Sequence, residues 1–121
     1  MIKLTFCLRR LPHLSREQFQ TYWREQHAPL VAKHAKTLGV LRYVQLHTGH
    51  DALNAGIAGS RGAPTEYDGV AELWFESAEA MAANTSEAAA AAGRELLEDE
   101  KKFIDLANSP LWFGDEHVIV G

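Results

Sequence analysis

The sequence predicts an α+β fold of the ferredoxin-like type, in which a four-stranded antiparallel sheet carries its helices on one face. Three observations predict this fold. Residues 2–8 alternate between apolar and polar side chains, with the period of two that is typical of a half-buried strand. Two later segments have the serine caps and apolar spacing of helices. Three runs rich in β-branched and aromatic residues indicate further strands, so the predicted order is strand, helix, strand, strand, helix, strand.

The first predicted helix begins at Ser15. Ser15 and Gln18 have the S-x-x-Q spacing of a capping box, in which the serine accepts from a free backbone N–H and the glutamine reaches back. Pro29 has no backbone N–H to donate, so the helix should kink or restart near it. We therefore expect one helix over residues 15–27 and a continuation over residues 29–36.

The rest of the chain is predicted to alternate between strands and helices. The predicted strands cover residues 40–47, 70–75 and 112–120. Gly114 is a point where the last of them could be interrupted. Serine caps predict a short helical piece over residues 77–83 and a longer helix over residues 87–103. The stretch 48–66 contains several glycines and is predicted as a long loop, either a mobile functional segment or a plain insertion.

Length and composition restrict the class of protein. The 121 residues are expected to form a single domain, residues 1–121, because chains of this length normally build one core. The formal net charge of -4 does not favour binding to nucleic acid. Cys7 is the one cysteine and cannot form an internal disulfide, which fits a reducing cytoplasm. The longest apolar run is far shorter than the ~20 residues of a spanning helix, so no membrane association is expected.

One face of the predicted sheet has no helix to cover it. The strand over residues 70–75 nevertheless carries large side chains on both sides, with Val70 and Trp74 on one and Leu73 on the other. A large exposed apolar face normally finds a partner surface. We therefore expect a homodimer in which two sheets pack face to face and form a dimeric α+β barrel.

Three segments carry a recognisable motif. Residues 15–31 read SREQFQTYWREQHAPLV, residues 42–45 read RYVQ and precede His47, and residues 67–75 read YDGVAELWF. The first of these is similar to the pattern S-x-x-x-F-x-x-[YH]-W-x-x-x-H-A-P-L that the EthD family has after its first strand. The sequence resembles that family over essentially the whole chain and in the same order. The resemblance implies the dimeric α+β barrel superfamily, in agreement with the fold argued from periodicity.

The resemblance implies small-molecule chemistry without fixing a reaction. The named family member is an accessory protein in the degradation of a fuel ether, and similar fungal proteins of polyketide pathways act without cofactors as dehydratases, decarboxylases or oxygenases. We therefore expect an aromatic or polyketide-like ligand in a pocket between the first helix and the sheet, with cofactor-independent proton transfer as one hypothesis. A non-catalytic accessory or ligand-binding protein is the alternative, and a purely structural dimer is a third, because fold likeness does not determine chemistry.

His27 is the first candidate catalytic residue. It lies on the apolar stripe of its helix beside Trp23 and just before Pro29. Burial favours the neutral imidazole, which could act as a general base on an acidic phenol or on a carbon next to a carbonyl. The alternative is a structural histidine that bonds a backbone carbonyl freed by the proline. His47 and Asp68 are predicted to assist, since neighbouring antiparallel strand ends meet, although Asp68 could equally stabilise a turn.

A pocket for a flat ligand needs apolar and aromatic walls with a few polar groups. The residues predicted to bind substrate are Tyr22, Trp23, Leu30, Tyr43 and Trp74. The same side chains could equally fill an ordinary core. No cofactor and no metal are predicted, because the six histidines lack the spacing of a metal motif and no G-x-G-x-x-G follows a strand.

Overall fold

The strands and helices follow the predicted order, with one additional helix. The computed structural model describes all 121 residues. The strands are β1 (Ile2–Leu8), β2 (Arg42–His47), β3 (Gly69–Phe75) and β4 (Leu111–Gly114). The helices are α1 (Arg16–Tyr22), α2 (Ala28–Leu38), α3 (Asp51–Gly59), α4 (Ala78–Ala83) and α5 (Glu87–Glu100), with a π-helical segment (Trp23–His27) and a 3₁₀ turn (Leu106–Asn108). None of the helices has both the length and the apolar character needed to cross a bilayer.

The four strands form one antiparallel sheet in the order β2-β3-β1-β4. Phe6 at the centre of the sheet pairs with Ala71 of β3 and with Leu111 of β4. The two central strands are β1 and β3, and each is followed in the chain by helices that pack on the sheet. This is the topology of the ferredoxin-like fold. The predicted α+β fold class is confirmed.

Two elements end earlier than the sequence predicts. β4 was expected over residues 112–120 but stops at Gly114, which pairs with Lys3. Gly114 is the point of interruption that the sequence suggests, and residues 115–120 form no strand. The helix expected over residues 87–103 ends at Glu100, and the chain turns there, so that Ile104 bridges to Arg10, two residues after the end of β1.

The core lies between the sheet and the helices. Side chains of β1 and β3 on the helix-facing side meet aromatic residues of α1, the π-helical segment and the end of α5; the cluster consists of Phe6, Leu8, Phe19, Trp23, Ala71, Phe103 and Ile104. Phe19 and Phe103 are fully buried, with ring centroids 5.5 Å apart. Burial of each such ring stabilises the fold by about 1.5–3 kcal/mol.

Serine side chains begin three helices, as the sequence predicts. The hydroxyl of Ser15 accepts from the Gln18 N–H at 3.0 Å, and the Gln18 side chain accepts from the Ser15 N–H at 2.9 Å, which completes the capping box. Ser77 and Ser86 accept in the same way from backbone N–H groups of α4 and α5. Each cap satisfies a donor that the first helical turn leaves free.

The helix restarts at Pro29 through a π-helical segment. The backbone N–H of Ala28 donates to the carbonyl of Trp23, five residues back, instead of four. Pro29 stands in the first turn of α2, where its missing N–H costs nothing. The wider winding turns both Trp23 and His27 inward, and both are buried.

The predicted loop over residues 48–66 contains a helix, α3. Two glycines within it lower its helix propensity, and Leu53 and Ile57 are exposed, so its sequence shows neither a strong propensity nor a buried stripe. The first turn of α3 is held by Asp51, which accepts from the Arg16 guanidinium at 2.7 and 2.9 Å. The expectation of a structureless loop is therefore wrong over Asp51–Gly59.

Gly69 is the point at which the Trp23 indole reaches the sheet. A Cβ at this position would overlap the indole ring and lie 2.8 Å from the carbonyl oxygen of Leu46. We expect Gly69→Ala to lower the free energy of unfolding by about 1–3 kcal/mol, because backbone and indole must both shift. Urea denaturation followed by circular dichroism measures this. Gly56→Ala, a helical position with open space around it, is the control and should not destabilise; equal stability of the two variants would contradict the prediction.

Candidate functional site

A cavity of about 260 Å³ lies between the helix-facing side of the sheet and the helices. Fifteen of its 18 lining residues are hydrophobic. All four strands contribute to its wall, with Leu4, Phe6 and Leu8 from β1, Ala71, Leu73 and Phe75 from β3, Tyr43 from β2 and Leu111 from β4. Among the lining residues, only His27 and Glu100 carry an imidazole or a carboxyl group. An apolar pocket with a few convergent polar groups is the usual form of a small-molecule site.

His27 reaches the cavity from the π-helical segment. Its side chain is 7% exposed, and its ring centroid lies 5.0 Å from that of Phe103. Its Nδ1 is 2.7 Å from Oδ2 of Asp99. Burial lowers the pKa of His27 below the ordinary value, although the Asp99 carboxylate acts in the opposite direction. The imidazole is therefore neutral at neutral pH.

Asp99 determines which ring nitrogen of His27 carries the proton. Burial by itself would raise the pKa of Asp99, but hydrogen bonds from Tyr22 and His27 outweigh burial and hold this pKa below its ordinary value. A carboxylate only accepts, so the neutral imidazole must donate from Nδ1. No fully buried side-chain nitrogen or oxygen lacks a partner, so the unpartnered Nε2 keeps some accessible surface, on a residue that lines the cavity. Nε2 thus presents a basic lone pair to whatever occupies the cavity.

Tyr22 holds Asp99 from the other side. The Tyr22 hydroxyl donates to Oδ1 of Asp99 at 2.6 Å, and Nζ of Lys102 lies 3.4 Å from the same oxygen. Burial, together with the hydrogen bond to the carboxylate, raises the pKa of Tyr22 to about 12. Tyr22 is therefore a fixed donor at neutral pH, and it orients the carboxylate toward His27.

Glu100 follows Asp99 on α5 and lines the cavity itself. It makes no hydrogen bond or ion pair with another side chain of the protein. Burial, and then the negative charge of Asp99, raise the pKa of Glu100 to about 7. A large share of Glu100 is therefore protonated at neutral pH, in contrast to its neighbour.

The raised pKa of Glu100 makes stability depend on pH. Between about pH 4.5 and 7 the folded state holds a proton that the unfolded chain releases, so this contribution to stability falls as the pH rises. We expect Glu100→Gln to gain stability relative to the wild type between about pH 5 and 8. Urea denaturation at both pH values measures the difference. Glu98→Gln, at an exposed position on the same helix, should show no such change, and an identical pH response of all three proteins would contradict the assignment.

His47 contacts residues of the cavity wall without lining the cavity. Its ring stacks on Trp23 with centroids 4.5 Å apart, and its Nε2 is 2.7 Å from Oε1 of Gln45. Gln45 in turn donates to the Tyr43 hydroxyl at 2.7 Å and to the Trp23 carbonyl at 3.1 Å. His47 is therefore placed to position Trp23 and Tyr43, which do line the cavity.

The expected pair of Asp68 and His47 is not formed. The ends of β2 and β3 do meet, since the Thr48 N–H donates to the Asp68 carbonyl at 3.2 Å. The Asp68 carboxylate points the other way, toward β1, where it accepts from the backbone N–H of Arg10 at 2.8 Å and pairs with the Arg10 guanidinium. Arg10 provides both a cation and a backbone N–H on this side. Asp68 therefore holds in place the segment between β1 and α1.

Comparisons with known proteins identify the family of the chain. The family model described as EthD domain matches residues 11–107. The chain belongs to the EthD family. A comparison with curated proteins found no match.

Solved structures share the fold of this EthD chain. An ethyl tert-butyl ether D (EthD) family protein from Bacillus halodurans is 21% identical, with a TM-score of 0.61 over 97% of this chain and 99% of that one. An EthD-like protein from Ralstonia eutropha is 18% identical, with a TM-score of 0.61 over 98% of this chain and 94% of that one. HapK from Hahella chejuensis is 11% identical, with a TM-score of 0.57 over 100% of this chain and 96% of that one.

The EthD chain places only some of the five predicted substrate-binding residues at the cavity. Trp23 and Tyr43 line it, whereas Tyr22, Leu30 and Trp74 do not. Tyr22 is instead bonded to Asp99. Leu30 is half-buried, and the next residue, Val31, takes the lining position on α2.

Trp74 lies on the face of the sheet opposite the cavity. It pairs with Lys3 and Arg42 of the adjacent strands, and its Nε1 donates to Glu116. Successive strand residues point to opposite faces, and Leu73 already faces the cavity. Trp74 therefore belongs to the open face of the EthD sheet, together with the charged side chains of Lys3, Arg42 and Glu116.

Sequence reasoning missed Asp99 and Glu100, the two acidic residues of the EthD site. A signal was present, because Asp99 lies three residues after Leu96 and four before Phe103, so it shares the apolar side of α5. Glu100 lies four residues after Leu96 and is next to the same side. A carboxylate on the buried side of a helix needs a polar partner. His27, on the buried side of the first predicted helix, is the residue that supplies it. No cluster of three His, Cys, Asp or Glu side chains that could hold a metal ion occurs in the structure.

Proposed function

We propose that this EthD-family chain binds a flat, largely apolar aromatic or polyketide-like molecule in its cavity and that His27 removes a proton from it. The observation that carries the proposal is the 2.7 Å contact between His27 Nδ1 and Asp99 beside an apolar cavity. Cofactor-independent dehydratase, decarboxylase or oxygenase chemistry, which the family resemblance implies, agrees with a proton transfer as the first step.

The cavity lining supports the binding of a flat apolar ligand. A volume of about 260 Å³ lies near the lower end of ligand pockets, which suits one or two fused rings. Transfer of the ligand's apolar surface from water favours binding by about 25 cal/mol per Å². The Tyr43 hydroxyl accepts from Gln45 and so has its own hydrogen free to donate to a polar atom of the ligand.

The hydrogen bond to Asp99 supports the role of His27 as a base. A neutral imidazole with its proton fixed on Nδ1 can accept only at Nε2, and His27 lines the cavity. After proton uptake, the imidazolium is stabilised by the negative Asp99 carboxylate at the same 2.7 Å contact. A carbon next to a carbonyl, or an acidic phenol, is the matching proton donor.

A non-catalytic binding or accessory protein is the second candidate function. The observation that favours it is the hydrophobic character of 15 of the 18 lining residues, which provides affinity without requiring any reaction. In that case the bond between His27 and Asp99 would only shape the pocket.

Two bicyclic probes separate these functions. β-Tetralone has acidic hydrogens next to its carbonyl, and tetralin has the same ring system without the carbonyl. We expect both to bind in calorimetric titrations, and we expect the protein to accelerate exchange of the β-tetralone α-hydrogens for deuterium, followed by proton NMR. Binding without accelerated exchange would support the accessory function. Failure of both probes to bind would contradict the proposal.

We also propose that the chain forms a homodimer through the open face of its sheet. Leu46 and Trp112 lie on that face and are 59% and 53% exposed. The family resemblance implies a dimeric barrel in which this face is covered by a second copy. Burial of two large side chains per chain would favour such an interface.

Light scattering tests the dimer. We expect a mass of twice the 13.4 kDa chain at micromolar concentration, and we expect Trp112→Glu to shift the protein to monomer, because burial of a charge in the interface is costly. Leu97→Glu, at an exposed position on α5, is the control and should stay dimeric. A wild-type monomer under these conditions would contradict the proposal.

A reducing cytoplasm is the compartment that we propose for the chain. Its one cysteine supports this placement, since it leaves no internal disulfide to be kept oxidised. The net charge of -4 supports a partner other than nucleic acid.

A further inference from the structure

The last turn of α5 places two neighbouring carboxyl groups in different surroundings. Asp99 accepts hydrogen bonds from Tyr22 and His27 behind the cavity wall. Glu100 lines the same cavity as this histidine and has no side-chain partner. One short segment therefore provides both the group that fixes the His27 base and a second proton-carrying group at the ligand.

The surroundings of Glu100 favour the protonated form of its carboxyl group. Asp99 on its own helix and Tyr43 on β2 interact with it electrostatically, and His27 on the π-helical segment lines the same cavity. None of them is a cation at neutral pH, and the lining residues include no lysine or arginine. Burial raises the pKa of Glu100 to about 7. A protonated carboxyl group in an apolar cavity can donate a strong hydrogen bond, or the proton itself.

We propose that Glu100 is the general acid of this site and that the ligand is an uncharged, largely apolar ketone whose enol the site forms. The proposal rests on the proposed function, because it takes His27 as the base. His27 Nε2 takes a proton from the carbon next to the carbonyl, and the C–H electron pair forms a C=C bond. The carbonyl π pair moves to oxygen, which takes the Glu100 proton, so the products are the neutral enol, an imidazolium and a carboxylate. The reverse step returns both protons.

The chemistry of a ketone explains why the site needs both groups. The hydrogens next to a simple carbonyl are weakly acidic, so a histidine removes one only if the developing oxygen charge is neutralised at the same time. The cavity wall offers no cation for this, and Glu100 is its one carboxylic acid. Anionic ligands would meet the negative Asp99 and the ionised share of Glu100, so the site selects against them.

Exchange of the β-tetralone α-hydrogens tests the proposal. We expect Glu100→Gln to slow the exchange about 100-fold with β-tetralone affinity changed by less than about threefold, because glutamine donates a hydrogen bond but no proton. Glu100→Leu should be as slow as Glu100→Gln. Glu98→Gln, on the same helix and outside the cavity, is the matched control and should exchange at the wild-type rate. Near-ultraviolet circular dichroism confirms that each variant is folded.

The pH profile provides a second readout that a structural role would not change. The wild-type rate should fall as the pH rises through about 7, where Glu100 loses its proton, and Glu100→Gln should lack this fall. If both Glu100 variants exchange at the wild-type rate while His27→Gln does not, the inference about Glu100 is overturned and the proposed function stands. If no probe binds to the wild type, the proposed function fails, and the inference fails with it.

Discussion

Replacement of His27 by glutamine is expected to slow α-hydrogen exchange of bound β-tetralone by about 100- to 10,000-fold, the usual contribution of a general base. Glutamine has a similar length and can still hydrogen-bond Asp99, but it has no basic nitrogen to present to the cavity. Probe affinity should change little, since most of the lining is hydrophobic. Proton NMR of the exchange and calorimetric titration of the same samples measure the two effects separately.

His34→Gln is the matched control for this experiment. His34 lies on the continuation of the same helical layer and contacts Glu95 at 2.8 Å, and it does not line the cavity. Its replacement should leave the exchange rate unchanged. Equal exchange rates in the wild type and in His27→Gln would show that His27 is not the base, even if both proteins bind the probe.

Replacement of Asp99 by asparagine is expected to have the second large effect, because it removes the group that fixes the His27 tautomer. An asparagine has one accepting oxygen, so it cannot accept from both Tyr22 and His27 as the carboxylate does. If its NH₂ faces His27, the ring proton moves to Nε2 and the cavity loses its basic lone pair. We expect exchange to slow by about 100-fold or more and the free energy of unfolding to fall by about 1–3 kcal/mol.

Tyr22→Phe separates the two consequences of the Asp99 substitution. It removes one hydrogen bond to Asp99 but leaves the contact with His27 intact. We expect a loss of stability of about 1 kcal/mol with a much smaller effect on exchange. Urea denaturation and the exchange assay on both variants measure this. If Asp99→Asn lost stability but exchanged at the wild-type rate, the carboxylate would be structural only.

The sequence was sufficient to predict the sheet, the serine caps and the inward position of His27, because each depends on local periodicity or on near neighbours. Pro29 predicted the helix restart for the same reason, and the structure shows how the restart is made. The α3 helix could not be predicted so easily. Its anchor is the ion pair between Asp51 and Arg16, which are 35 positions apart in the chain.

The candidate site was harder to predict than the fold because its groups come from distant parts of the chain. Asp99 lies 72 positions after His27, and no spacing rule connects them. Asp68 was expected to face His47 because their strand ends meet, yet the Arg10 guanidinium on the other side attracts the carboxylate. Trp74 was assigned to the pocket by its type, whereas strand alternation places it on the opposite face. The positions of these side chains therefore depend on long-range electrostatics and on strand alternation, which residue type alone does not predict.

The protonation state of the His27 ring is the most direct test of the site. Nitrogen NMR of the ring, assigned by comparison with His27→Gln, reports which nitrogen carries the proton. Because burial lowers the pKa of His27, we predict the neutral form with the proton on Nδ1 at neutral pH, and a shift of the Nε2 signal when β-tetralone is added. An imidazolium at neutral pH, or a neutral ring with its proton on Nε2, would contradict a base held ready by Asp99.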